Sequence, residues 1–258
     1  MLFRSILGAP GLDTGAVAAA MGAAAQTLNG MAYLFCDGAD DVSEAVLYRD
    51  TFGLREQMLI WPETSGGTGD AVARALGLRA KIDETTGWHK TLSNVAINGV
   101  LGLETPVFFD LNNSNTDAGL LNDAPVTTIV RMNGYRFWGN RTCSDEPKFA
   151  FESTVRTAQV IRDTIGQGMA WAVDKPLTLG LVRDIIETVN GKLRSFVAQG
   201  RLIGGQCWYD PALNSAGDLA AGKLAIDYDY TACAPMEDLT FNQRVTDKYY
   251  ANFGAALA

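Results

Sequence analysis

Histidine is nearly missing from this chain: 258 residues hold one, His89. Enzyme templates that combine a histidine base with histidine ligands are therefore reduced to that single residue. Cysteine is scarce as well. Four residues, at positions 36, 143, 207 and 233, show no CxxC spacing, so neither a disulfide framework nor a zinc knuckle is indicated and reduced thiols are expected. Positive charge is short: 21 Lys and Arg against 29 Asp and Glu give a net −8, which argues against a general nucleic-acid binder. No apolar run approaches the roughly 20 residues of a membrane span, so no membrane insertion is expected. The opening eight residues, MLFRSILG, carry one basic residue and too few apolar ones for a secretory signal. What is present, 47% apolar and 19% charged residues with 27 glycines, is a globular composition large enough for one large or two modest domains.

The hydrophobic pattern predicts an α/β chain, α+β mixed overall. An Ala-rich helix over 12–28, capped by Asp13 or Thr14, precedes a buried strand over 31–36. A helix opened by Ser43 and closed by Gly53, a strand over 57–61 and a helix over 70–81 complete a parallel strand–helix layer. Residues 83–125 are loop-rich, with short strands expected at 95–101 and 106–109. Two β-rich halves around Asn133-Gly134 predict a hairpin over 126–142. A long helix follows from Phe151 to about Val173. A second is capped by Thr178, with Leu181, Ile185, Ile186, Val189, Leu193 and Val197 on one face. Strands are expected at 206–209, 223–231 and 238–247, the last placing Leu239, Phe241 and Val245 on one side. The chain is thus divided into an α/β part at 6–125, a C-terminal part at 126–250 and a flexible tail at 251–258.

Candidate chemistry is thin. The Gly-rich stretch 65–70 before a helix could cradle phosphate, but it lacks the P-loop lysine and the GxGxxG spacing, so a plain strand-to-helix connection reads better. Asp227 and Asp229 share a strand face as metal ligands would, yet no third carboxylate is near in sequence; a solvated strand face is the simpler reading. Trp88-His89-Lys90 is more readily a structural loop than an acid–base pair. No metal or cofactor is therefore expected. Residues 152–201 hold seven basic side chains, among them Arg156, Arg183, Lys192 and Arg194, against five acidic ones. That is either a solvated helix face or a docking face for an acidic partner.

An ordered series of segments carries a resemblance: ILGAPGLD (6–13), SEAVLYRD (43–50), ARALGLRAKID (73–83), GWHK (87–90) with NGV (98–100), GYRFWGNRTC (134–143), WAVDKP (171–176), LVRDIIE (181–187) and GKLAIDYDY (222–230). Each is weak alone. In this order they resemble the sheath proteins of contractile phage and prophage tails and R-type pyocins. The resemblance implies a structural subunit and not an enzyme. Such subunits stack as six-membered rings around a tail tube and contract on a baseplate signal to drive the tube through a target envelope. They are virion-tail components assembled in the host bacterial cytoplasm. Neighbours exchange terminal strands, giving Leu239, Phe241 and Val245 an intersubunit role. An inner helix contacts the tube, for which Arg183, Lys192 and Arg194 are the candidates by position. Family members carry a substantial portion before ILGAPGLD that residues 1–5 do not match, which implies a sheath lacking its N-terminal portion and one strand donor. Two other functions stay open at this point: a small-molecule enzyme using 65–70 as an anion loop, and an inactive prophage remnant.

Overall fold

In the computed structural model, which describes residues 6–66 and 70–252, the predicted parallel layer is the centre of the molecule. It is built from β1 (Ile6–Leu7), α1 (Gly15–Leu28), β2 (Met31–Phe35), α2 (Val42–Arg49) and β3 (Gln57–Ile60). β4 (Thr64–Ser65), α3 (Ala71–Thr85), β5 (Ala96–Ile97), β6 (Gly102–Leu103) and α4 (Asp117–Asp123) follow. The hairpin strands are β7 (Val126–Arg131) and β8 (Tyr135–Trp138), and the chain continues through α5 (Glu152–Gly168), α6 (Leu179–Ala198), β9 (Leu202–Trp208), α7 (Ala216–Ala220) and β10 (Asp227–Ala232).

Six strands form one sheet in the order β1-β2-β3-β7-β8-β5, parallel from β1 to β7 and antiparallel beyond. Strands buried on both faces need apolar residues throughout, and β2 and β3 supply them. Met31, Tyr33, Met58 and Ile60 face a cluster with Val72, Ala75 and Ile82 of α3. Ala32, Leu34, Leu59 and Trp61 face the opposite cluster with Ala18 and Ala25 of α1 and Ala45 of α2. The hairpin loop, Met132 to Gly134 between the paired Arg131 and Tyr135, has positive φ at both Asn133 (50°) and Gly134 (95°), the left-handed backbone that Asn and Gly tolerate best. Because β7 is zipped to β3, the division after residue 125 would part this hairpin from the sheet that holds it.

Some boundaries differ from the sequence reading for local reasons. Asp41, not Ser43, caps α2, accepting from Glu44 N at 2.9 Å. Thr14 is the N-cap of α1 without a side-chain bond, and Asp13 instead accepts from Phe35 N at 2.6 Å. Residues 106–109 form no strand; α4, absent from the prediction, starts where Thr116 accepts from Gly119 N at 3.1 Å. Thr178 does cap α6, accepting from Leu181 N.

A second body lies beyond α5. α6 packs on the antiparallel pair β9–β10, burying Val189, Leu193, Phe196, Leu202 and Cys207 together with Val160 and Ile161 of α5. α5 spans both bodies, since Val155 at its start belongs to the first core and Val160 and Ile161 to the second. The strand expected at 238–247 does not form within the chain: these residues pair with nothing in a ladder and are exposed throughout.

Candidate assembly surfaces

The positions considered for small-molecule chemistry land in places that oppose it. Residues 67–69 of the Gly-rich stretch lie outside the described residues. Its ends are structural: Ser65 closes β4, and Asp70 caps α3 by accepting from Ala73 N at 2.7 Å. Beside it is a cavity of about 200 Å³ lined by Asp13, Asp37, Glu63 and Asp70 among others. Burial pushes Asp13 and Glu63 up from their ordinary carboxylate values, and neighbouring Asp70 adds to both. Four carboxylates around the opening repel a phosphate, so the anion-loop reading fails on electrostatics.

Asp229 accepts from Gln206 N at 3.2 Å across the β9–β10 pair. Among the described residues no three His, Cys, Asp or Glu side chains are grouped to hold a metal ion. His89 is lowered from its ordinary value first by burial and then by Arg201 and Arg79. Its neighbour Trp88 is the packing half of that loop. The indole is buried in the second core, edge-on to Phe196 at 5.2 Å, with the Arg201 guanidinium 4.5 Å from its ring centroid.

Sequence reasoning missed the charged cluster at the seam of the two bodies. Arg79 and Asp83 of α3, Glu152 and Arg156 of α5 and Tyr33 of β2 meet there, and Arg79, Glu152 and Tyr33 are fully buried. Arg156 donates to both Asp83 oxygens at 2.7 and 2.6 Å, and Arg79 donates to Asp83 at 2.8 Å and to the Lys90 carbonyl at 2.6 Å. The Tyr33 hydroxyl donates to Glu152 at 2.7 Å, and both guanidinium groups lie 3.7 Å from that carboxylate. Two cations meet two anions, so the cluster is neutral as a unit. Burial alone would lower the Arg156 value, but the Asp83 bonds and the Glu152 charge outweigh it and raise it. Arg156 therefore leaves the basic surface to which sequence counting had assigned it. The available signal was a pair of i,i+4 Arg–carboxylate spacings, 79/83 and 152/156, on two helices.

The three basic candidates on α6 are exposed but do not form one patch. At 3.6 residues per turn, the eleven residues from Arg183 to Arg194 make about three turns and share an edge, whereas Lys192 is about half a turn away. Arg194 lies 3.5 Å from Glu187 on that edge. Lys192 reaches over the Phe196 ring at 4.8 Å and lines a groove of about 430 Å³ between α5 and α6, with Ile165, Met169 and Val189. Leu239, Phe241 and Val245 are 58, 83 and 96% exposed, an alternating apolar row that this chain leaves uncovered.

Family models match almost end to end. Residues 4–143 match the phage tail sheath protein central domain and 144–246 the phage tail sheath C-terminal domain. The chain belongs to the phage tail sheath family. It is 51% identical over 255 residues to the tail sheath protein of Escherichia phage P2, covering 96% of this chain and 64% of that one. To the major tail sheath protein of Serratia phage KSP20 it is 45% identical, covering 98% and 66%. It thus spans about two thirds of the length of these relatives. The fold is shared with a chain of the anti-feeding prophage baseplate (TM-score 0.77, 20% identity, 93% of this chain and 69% of that one). It is shared also with the PVC sheath complex of an extracellular contractile injection system in its contracted state (TM-score 0.78, 18% identity, 95% and 72%). The relatives are structural proteins by name, and none lends support to an enzyme. Within this sheath-family chain the two matched regions interlock: Trp88 of the first fills the core of the second, and Val155 of the second fills the core of the first.

Proposed function

We propose that this chain is a structural subunit of a contractile tail sheath, on a phage or prophage-derived tail. Copies polymerise as six-membered rings stacked around a tail tube, engage a baseplate, and contract to drive the tube through a target envelope. Assembly takes place in the host bacterial cytoplasm, and the product is carried on the virion tail. Nucleic acid is no partner of a surface with net charge −8, and no described helix is long and apolar enough to cross a membrane.

The observation that carries this reading is the exposed row Leu239, Phe241 and Val245 on a chain that also holds a two-stranded sheet, β9–β10, whose outer edges have no strand beside them among the described residues. An extended segment and an open sheet edge on each copy are the two halves of strand addition, which links subunits without catalytic groups. Rigid bodies joined in this way store energy in contacts that differ between two packings. On the tube side, Arg183 and Arg194 form one edge of the proposed contact and Lys192 a separate one.

Negative-stain microscopy of the purified chain, alone and with cognate tail tubes, tests the reading. Rings, tubules or coated tubes are expected. Monodisperse particles under both conditions overturn it.

A further inference from the structure

After β10 the described residues form no further strand, and every residue from 236 to 250 is exposed. At the root of this arm a two-bonded ion pair ties it to the body. Arg141, just past β8, donates Nε to Glu237 Oε1 at 3.1 Å and Nη2 to Oε2 at 2.6 Å. Its guanidinium also lies over the Phe151 ring, 5.3 Å from the centroid. The backbone behind it is fixed by a bridge between Arg141 and Phe151. Farther out, Thr240 bonds to Asp238, and Thr246 accepts from Lys248 N.

We propose that the Arg141–Glu237 pair is the clasp that aims the C-terminal arm, setting the direction in which residues 238–250 leave the body and hence where they meet a second copy of this chain. This rests on the assembly reading above. The pair is half-exposed at the surface, where ion pairs add little to stability. Its two parallel bonds supply direction instead, because a planar guanidinium holds a carboxylate in one orientation. The lever is long. Ten extended residues reach about 33 Å, so an exit error of about 30° moves the far end by about 17 Å, more than three times the ~4.8 Å strand spacing.

Spin labels on Lys81→Cys and Val245→Cys, in a Cys233→Ser background of the full chain, report the arm's direction in dilute solution. Glu237→Gln and Arg141→Gln are expected to broaden the distance distribution, and the reversed pair Arg141→Glu with Glu237→Arg to narrow it again. By microscopy the single variants are expected to form rings or tubules about tenfold less, as a misaimed segment loses effective concentration at its site, and the reversed pair to recover them. Glu237 is exposed, so its variants leave folding intact. Unchanged distributions in both single variants overturn the clasp, as does broadening that the reversed pair does not cure. Single variants that assemble as well as the parent overturn its role in aiming. If the parent forms neither rings nor tubules while the labels respond as expected, the clasp stands and the assembly reading falls.

Discussion

The same three residue types have opposite fates in two regions of this molecule. In α6, Val189, Leu193 and Phe196 are 4, 1 and 4% exposed and knit helix, sheet and Trp88 into one core. In the arm, Val245, Leu239 and Phe241 stand in solvent. Hydrophobicity therefore does not decide burial here; the availability of a complementary face does. Burying a side chain of this size contributes about 1.5–3 kcal/mol, and the arm leaves that amount unrealised three times over. The body, by contrast, spends buried charge to join its two halves. On the proposed assembly reading, that difference separates what holds a subunit together from what would join subunits.

The largest expected effect comes from breaking the seam. Arg156→Met removes one cation from the buried cluster and leaves Asp83 and Glu152 undercompensated, at an expected cost of about 3–5 kcal/mol. Urea denaturation reads this as a lower midpoint. A shift equivalent to under about 1 kcal/mol would mean that water enters and replaces the guanidinium. Next is Trp88→Ala. The indole is the plug from the first body into the second, and truncating a buried aromatic of this kind costs about 3 kcal/mol. If the two bodies are as interlocked as the packing indicates, both variants still unfold in one transition by fluorescence and circular dichroism. Two separated transitions would show that each half folds alone.

Much of the body could be read from the sequence because its signals are local. Continuous apolar runs gave β2 and β3, Asn133-Gly134 gave the hairpin, and Thr178 gave the start of α6. The strand–strand order did not follow, since nothing local tells β7 to lie against β3. α4 was missed because it is seven residues long inside a loop-rich stretch, although Thr116 was a usable cap signal. The charged cluster was hidden for a different reason. Arg79 and Asp83 on one helix have the spacing of an ordinary solvated pair, and only the packing of α3 on α5 turns that face inward. Among the surface candidates, helical spacing already separates Lys192 from Arg183 and Arg194.

The smallest expected effect on stability lies in the arm, and it sharpens the contrast most. Phe241→Ser and Val245→Ser touch nothing that the chain itself buries, so their denaturation midpoints are expected to stay within about 0.5 kcal/mol of the parent. Replacing a β-propensive apolar row by serine nonetheless removes the side chains that would enter pockets on a neighbouring sheet. Assembly seen by microscopy should then fail while folding is untouched, the reverse of Arg156→Met, whose damage begins inside the subunit. A loss of stability in the serine variants comparable to Trp88→Ala would mean that the arm folds back on its own body in solution. Equal stability with undiminished assembly would assign the joining of subunits to some other surface.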